Sequence, residues 1–296
     1  MMTATSLNSD LWPEGRSAAL VVSFDFDGPT PHLWRSRNEP PRNVAELEQR
    51  RYGPRRGIYN VLELLADLEI RSTFFVPGWI ASEYPGALNE IVQGGHELAL
   101  HGWCHESPAD ISAGQLRETL LRASDKLAEF SGAAPRGYRS PSFQMTGESL
   151  EVLMELGLRY DSSLMGDDRP YRINDLIEVP VDWSTSDAIY HRYTAGTISP
   201  PAGVRETAAA WSDEITHSVH HGTLCTLTMH PWLSGRPARI EALREILQRA
   251  RDNSELWIGT VADLADHVAS RPDGAEAART STTHVSLETM EWPDAH

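Results

Sequence analysis

The 296-residue chain is short of cysteine, of basic charge and of long apolar runs, and each shortage excludes something. Its two cysteines, Cys104 and Cys225, cannot make the disulfide framework of a small secreted scaffold and read as free thiols. Lysine and arginine number 26 against 42 acids, a formal charge of −16 that argues against a nucleic-acid partner. The densest basic stretch, Arg50-Arg51-Tyr52-Gly53-Pro54-Arg55-Arg56, is interrupted by Gly and Pro and reads as loop. No apolar run is long enough to span a bilayer, and Met1 to Asp10 has no basic segment followed by an apolar one. The expectation is therefore no membrane partner and a cytoplasmic location.

What the chain does have is alternation. Strand-like apolar runs at 17–25, 71–78, 96–101, 136–141, 177–183, 224–230 and 256–260 are separated by stretches of helical period at 59–68, 87–94, 116–130, 150–157, 204–221, 240–250 and 261–269. This is the pattern of βα units and a largely parallel sheet, and about seven strands fit a distorted (β/α) barrel better than an open sheet. Residues 1–270 read as one catalytic domain. The segment 30–56, rich in Pro, Arg and Asn, reads as an ordered surface loop after the first strand. Residues 271–296 read as a tail, mobile or docked on a neighbouring subunit through Trp292.

Three fragments carry the chemistry: Ser23-Phe24-Asp25-Phe26-Asp27-Gly28-Pro29, His101-Gly102-Trp103-Cys104-His105, and His230-Pro231. On a strand Asp25 and Asp27 leave from one face, and His101 and His105 have the spacing that puts two imidazoles on one face of a helical turn. Two neutral nitrogens and one carboxylate form a three-ligand set for a divalent metal with a position open to water, and the second carboxylate remains as a candidate general base. The bland alternatives are a turn capped by Asp27 and a chance histidine pair on a solvated face. Against them, Asp25 lies between two phenylalanines and is costly to bury without a partner, and His101 ends an alternating strand. The metalloprotease helix is excluded because position 102 is Gly, not Glu. His217, His220 and His221 precede Gly222 and read as the last turn of a helix. Cys104 is expected to pack, His96 and Glu97 either to supply a partner that supports the metal ligands from behind or to be a satisfied buried polar pair, and His32, Trp34 and Trp79 to wall a pocket.

With these fragments in hand, the chain resembles the polysaccharide deacetylase family, the NodB-type homology domain. Its Thr-Phe-Asp-Asp-Gly-Pro motif is similar to residues 23–29 with one residue inserted between the acids. Its His-x-x-x-His motif matches His101 and His105, its Arg-x-Pro motif matches Arg139-Ser140-Pro141, its aspartate-tryptophan motif is similar to Asp182-Trp183, and its last histidine is similar to His230. The resemblance implies Asp25 as general base, Asp27, His101 and His105 as metal ligands with Zn2+ the expected ion, and Arg139 as the partner that orients Asp25. It further implies His230 as general acid, supported by Asp182 or Asp187.

The Asp-x-Asp spacing, Arg51-Tyr52-Gly53, Val76-Pro77-Gly78-Trp79 and Ser234-Gly235-Arg236-Pro237 resemble one branch of that family. It holds leaderless peptidoglycan-deacetylase-like proteins, cyclic imide hydrolases and allantoinases. The implied activity is hydrolysis of a non-peptide carbon–nitrogen bond, with N-deacetylation of an acetamido sugar first, ring-opening of a cyclic imide second, and a non-catalytic carbohydrate-binding protein as the rival outside enzymes. A homo-oligomer, as a tetramer in one form, is the expected assembly.

Overall fold

In the computed structural model of the chain, residues 11–39, 44–193 and 201–271 are described. The expected tail, including Trp292, lies outside the described residues except for Arg271. Among the described residues nine strands form one curled sheet: β1 (Ala18–Asp25), β2 (Thr73–Val76), β3 (Glu97–Leu100), β4 (Gly137–Tyr138), β5 (Tyr160–Asp161), β6 (Tyr171–Ile173), β7 (Leu176–Glu178), β8 (Leu224–Met229) and β9 (Leu256–Gly259). Their order is β6-β7-β5-β4-β3-β2-β1-β8, with β9 also paired to β1, and every pairing is parallel except the β6–β7 hairpin. The expected distorted barrel of α/β class is the observed architecture. The strands the sequence reading left out are β5 and β6, because runs of two and three residues are too short to display a period.

Among the described residues there are twelve α-helices: α1 (Thr30–Arg35), α2 (Ala45–Tyr52), α3 (Ile58–Asp67), α4 (Gly78–Glu83), α5 (Pro85–Gln93), α6 (Ala113–Ser131), α7 (Gly147–Glu155), α8 (Asp187–His191), α9 (Val204–His221), α10 (Pro231–Ser234), α11 (Pro237–Arg251) and α12 (Val261–Ser270). None among the described residues is long and apolar enough to cross a membrane. Two readings need correction. The segment 30–56, expected as an ordered surface loop, contains α1 and α2, and the basic stretch continues α2 into a π-helical turn, Gly53–Gly57. Its Gly and Pro were misleading because a Pro near the start of a turn costs no hydrogen bond. Gly57 packs against the Pro231 carbonyl, where a Cβ would stand 1.9 Å away and has no room, and Gly53 packs tightly against Trp232.

Strand alternation sorts the core into two layers. Leu20, Val22 and Phe24 of β1 point outward with Leu227 and Met229 of β8 into the layer covered by helices. Ala19 and Val21 point inward with Phe75, Ala99, Tyr160, Ile177 and Val179, and the concave floor is closed by Trp12 and the apolar face of α12. Continuing the inward sets by two residues along the parallel strands leads to Ser23 and Asp25 on β1, His101 beyond β3, Arg139 beyond β4 and His230 beyond β8. A single geometric rule therefore gathers these groups at the carboxyl ends of the strands, where α/β folds carry their sites.

Candidate active site

Asp25 ends β1 nearly buried, with Arg139 donating from Nη1 to its Oδ1 at 2.9 Å. Arg139 is itself fully buried, and four of its five N–H donors are engaged: Nη1 also reaches Ser23 Oγ, Nε the Ser162 carbonyl and Nη2 Ser162 Oγ, each at 2.8 Å. Its guanidinium lies 4.0 Å from the centre of the Phe75 ring. A planar donor held at so many points cannot swing, so it fixes the Asp25 carboxylate in one orientation. Burial acts to raise the Asp25 carboxyl, but the charges of Arg139, His101 and His230 and the Arg139 hydrogen bond outweigh it, and the group stays below the ordinary carboxylate range.

Facing Asp25 is His230, whose Nε2 is 3.9 Å from Asp25 Oδ2. On its other side Nδ1 is 2.6 Å from Asp187 Oδ1, and the His230 amide donates to Asp187 Oδ2 at 2.8 Å. Asp187 is fully buried, and burial of the imidazole is more than offset by the Asp187 charge and hydrogen bond, so His230 is pushed up to about 9. Of the two sequence candidates, then, Asp187 reaches His230 and Asp182 does not. Asp182 accepts from the Ser184 amide at 2.6 Å and lines a separate cavity of about 460 Å3 with Glu214, His217 and Cys225. The cause is one backbone bridge, Ser186 to Thr228, which lays the start of α8 beside the end of β8.

The other three candidates meet on the same floor. His101 is buried with Nδ1 2.8 Å from the Arg139 carbonyl, which makes Nδ1 the donor and leaves Nε2 bare. The turn from 101 to 105 is not helical as the i, i+4 spacing implied: Gly102 has φ of 76° and His105 φ of 64°, both in the left-handed region. Its rings nonetheless meet edge to face, 5.0 Å between centres. Glu106, which the sequence reading passed over, holds this turn by accepting from the Trp103 amide at 2.9 Å and the Cys104 amide at 2.8 Å. A side chain at 102 would collide with Glu106 Oε2 at 2.8 Å, so glycine is needed there for space as well as conformation. Cys104 is half-buried with Sγ beside the Thr30 carbonyl, as the packing expectation had it.

Asp27 Oδ2 lies 4.0 Å from His105 Nε2 and 3.4 Å from Arg50 Nη1. Arg50 is a second residue missed in the sequence, buried over the Trp232 ring at 4.6 Å and tied to Glu46 one helical turn back at 3.2 Å. The i, i+4 Glu46–Arg50 pair was the available signal. Burial outweighs His230, Arg50 and His101 and pushes the Asp27 carboxyl up, whereas burial and the neighbouring His101 and Arg50 charges hold His105 well below the ordinary histidine value.

Among the described residues no three His, Cys, Asp or Glu side chains are spaced to clasp an ion as they stand. The donor chemistry does suit one. Asp27 Oδ1 and His101 Nε2 are buried without a hydrogen-bond partner, His101 and His105 are held neutral by burial, and a carboxylate pushed up by burial is short of positive charge.

These groups open into a cavity of about 620 Å3 walled by Trp34, Phe143, Trp183 and Trp232, with Arg35, Arg50 and Arg192 among its linings. Trp34 is thus a wall, but Trp79 packs into the outer core against Tyr84, and His32 pairs with Glu46 at 3.4 Å. Glu97 does not support the metal candidates: it accepts from Thr73 and Tyr160 on the concave floor, and His96 accepts from the Ser72 amide.

Residues 52–160 match the family model described as polysaccharide deacetylase, a span that holds His101, His105 and Arg139 but neither Asp25 nor His230. The chain is 24% identical over 251 residues to the peptidoglycan deacetylase of Helicobacter pylori, covering 73% of this chain and 84% of that protein. Among solved structures it is similar to a candidate polysaccharide deacetylase of Mycobacterium smegmatis, with 29% identity, a TM-score of 0.84 and coverage of 96% and 97% of the two chains. It shares its fold with PuuE allantoinase at 22% identity and a TM-score of 0.80, covering 90% and 96%.

Proposed function

We propose that this chain, a homologue of the polysaccharide deacetylases in sequence and fold, hydrolyses a non-peptide amide with the aid of a divalent metal, N-deacetylation of an acetamido sugar being the leading form. The observation that carries the reading is the pair Asp25 and His230, 3.9 Å apart, the first held low by Arg139 and the second held high by Asp187. At neutral pH this leaves an ionised carboxylate facing a protonated imidazole, which is the charge state of a base and an acid ready for one proton each.

Asp27, His101 and His105 would hold the metal, Zn2+ by donor type, and when bound it supplies Lewis-acid activation of the amide carbonyl and of water. Asp25 Oδ2, the oxygen not bound to Arg139, takes a proton from the attacking water. His230 Nε2 gives a proton to the departing nitrogen, and Asp187 stabilises the imidazolium until then. Arg139 holds Asp25 ionised and pointing at the cavity throughout. The aromatic walls offer apolar faces that suit a single ring.

The same walls favour a second reading, ring-opening of a cyclic imide or ureide, because a cavity of about 620 Å3 accepts such a ring as readily as one sugar residue. Acetate release from N-acetylated oligosaccharides, set against ring-opening of succinimide, hydantoin and allantoin by the same preparation, tests both. No turnover in either arm with metal supplied would overturn the enzymatic reading in favour of a carbohydrate-binding protein. A cytoplasmic homo-oligomer belongs to this proposal.

A further inference from the structure

Behind Arg139, on the convex side of the sheet, stand two carboxylates the mechanism does not use. Asp161 on β5 and Glu178 on β7 are register partners of neighbouring parallel strands, so they leave the sheet side by side on one face. Both are fully buried. Their Oδ1 and Oε1 atoms are satisfied: Ser163 Oγ donates to Asp161 at 2.8 Å, and the amides of Ser163 and Leu164 donate to Glu178 at 2.9 Å each. Their other oxygens, Oδ2 and Oε2, are buried with no donor from the rest of the described protein. Two adjacent buried carboxylates with bare oxygens cannot both stay ionised, and a single proton between them satisfies both.

The pair is wired to the site. Ser163 Oγ, which donates to Asp161, accepts the Ser140 amide at 2.8 Å, and Ser140 directly follows Arg139. Ser162, one residue before the turn that Glu178 holds, supplies both the carbonyl and the hydroxyl that fix Arg139 Nε and Nη2. The line of contacts therefore runs from the acid pair through the 162–164 turn to Arg139, and from there to Asp25.

We propose that Asp161 and Glu178 share one proton and act together as positioning residues for the candidate active site, bracing the 162–164 turn that aims Arg139 at Asp25. The clause about activity rests on the hydrolase reading; the shared proton does not. The groups facing the pair agree with it. Arg139 draws Asp161 toward ionisation but is already spent on Ser23, Asp25 and Ser162, while Tyr138 and Tyr171 are pushed up by burial and by the acids themselves, so neither supplies countercharge. Burial pushes both carboxyls up, Glu178 further because the Asp161 charge adds to it, and Asp167 acts on the same cluster through Tyr171.

The test compares the full chain with Glu178→Gln and Glu178→Ala. Glutamine keeps the acceptor for Ser163 and Leu164 and offers Asp161 a permanent donor, so it should replace the shared proton, whereas alanine removes both. Infrared difference spectra at neutral pH should show the band of a protonated carboxyl in the wild type that is missing from Glu178→Gln. Wild-type thermal stability should fall as pH rises from the ordinary carboxyl value through the raised one, since the native state there binds the extra proton, and Glu178→Gln should flatten that fall. On whichever substrate is turned over, Glu178→Gln should keep kcat within about threefold, and Glu178→Ala should lose about tenfold or more in kcat with KM little changed. An identical carboxyl band in wild type and Glu178→Gln would overturn the shared proton whether or not a substrate is known. A glutamine variant as impaired as the alanine variant, or an alanine variant with wild-type kcat, would overturn the positioning role.

Discussion

The imidazole of His230 and the carboxylate of Asp25 face each other at 3.9 Å, close enough to attract and too far to hydrogen-bond, because each is pulled back by a buried partner of opposite charge. Asp187 draws His230 to one side and Arg139 draws Asp25 to the other, leaving a gap the width of a reacting group between an ionised base and a protonated acid.

Removing the base should be the most damaging change that leaves the fold intact. Asp25→Asn keeps the volume and a hydrogen-bond acceptor for Arg139, and it is expected to lower kcat by about 10²- to 10⁴-fold; because the buried Arg139 loses its carboxylate partner, thermal unfolding should move down while the native fold is still reached. Full activity in this variant, measured on the substrate identified by the panel, would remove Asp25 from the mechanism.

The alkaline limb of the pH profile should belong to His230. Its folded value is raised to about 9, so the protonated, acid-competent form is lost as pH rises through that value. Asp187→Asn removes the main cause of the rise and is expected to move the limb toward or below the ordinary histidine value of about 6.5. The same shift is a stability statement. The His230 contribution is complete below the unfolded value, disappears as pH rises through about 9, and should be missing from Asp187→Asn at neutral pH.

Chelation with subsequent metal analysis addresses the proposed ligand set. The chelated protein is expected to lose activity and recover it with Zn2+, and His105→Ala to bind the ion more weakly while remaining folded. Undiminished turnover by metal-free protein, verified by elemental analysis, contradicts the proposed cofactor.

Glu106 makes a separate prediction, because it holds the 101–105 turn through backbone amides rather than through the imidazoles. Glu106→Ala leaves those amides without a carboxylate and loosens His105, whose φ of 64° needs support. A tenfold to hundredfold loss in metal affinity is the rough expectation for a removed supporting group. Calorimetric titration with Zn2+ checks it.

Gly137→Ala should destabilise the protein without touching a candidate catalytic group. A Cβ there would stand 1.9 Å from the buried Tyr160 ring on the concave floor, and overpacking of this kind costs about 1–3 kcal/mol or more. Chemical denaturation of wild type and variant gives the value directly.

The parts of the site legible from sequence were those set by strand periodicity. Asp25, His101, Arg139 and His230 each lie two residues beyond an inward-facing strand position, and a period of two can be counted along a single run. Glu46 and Arg50 were hidden inside a Pro- and Arg-rich stretch that composition assigned to loop, although it holds two helices. Glu106 was invisible because it acts through backbone amides of a turn whose left-handed residues no spacing rule anticipates. The choice between Asp182 and Asp187 could not be made from a list of acids near a tryptophan.

The sequence by itself determined the α/β alternation, the order of the strands that carry chemistry and the residue types at their ends, because hydrophobic period and side-chain chemistry are local properties. Only the tertiary structure decided which groups meet. The Ser186 to Thr228 bridge delivers Asp187 to His230, the curl of the sheet brings Arg139 across to Asp25, and the register of β5 with β7 buries Asp161 against Glu178. Each of these pairs is distant along the chain, and the charge each member carries is set by burial and by its partner, neither of which exists before the sheet has closed around them.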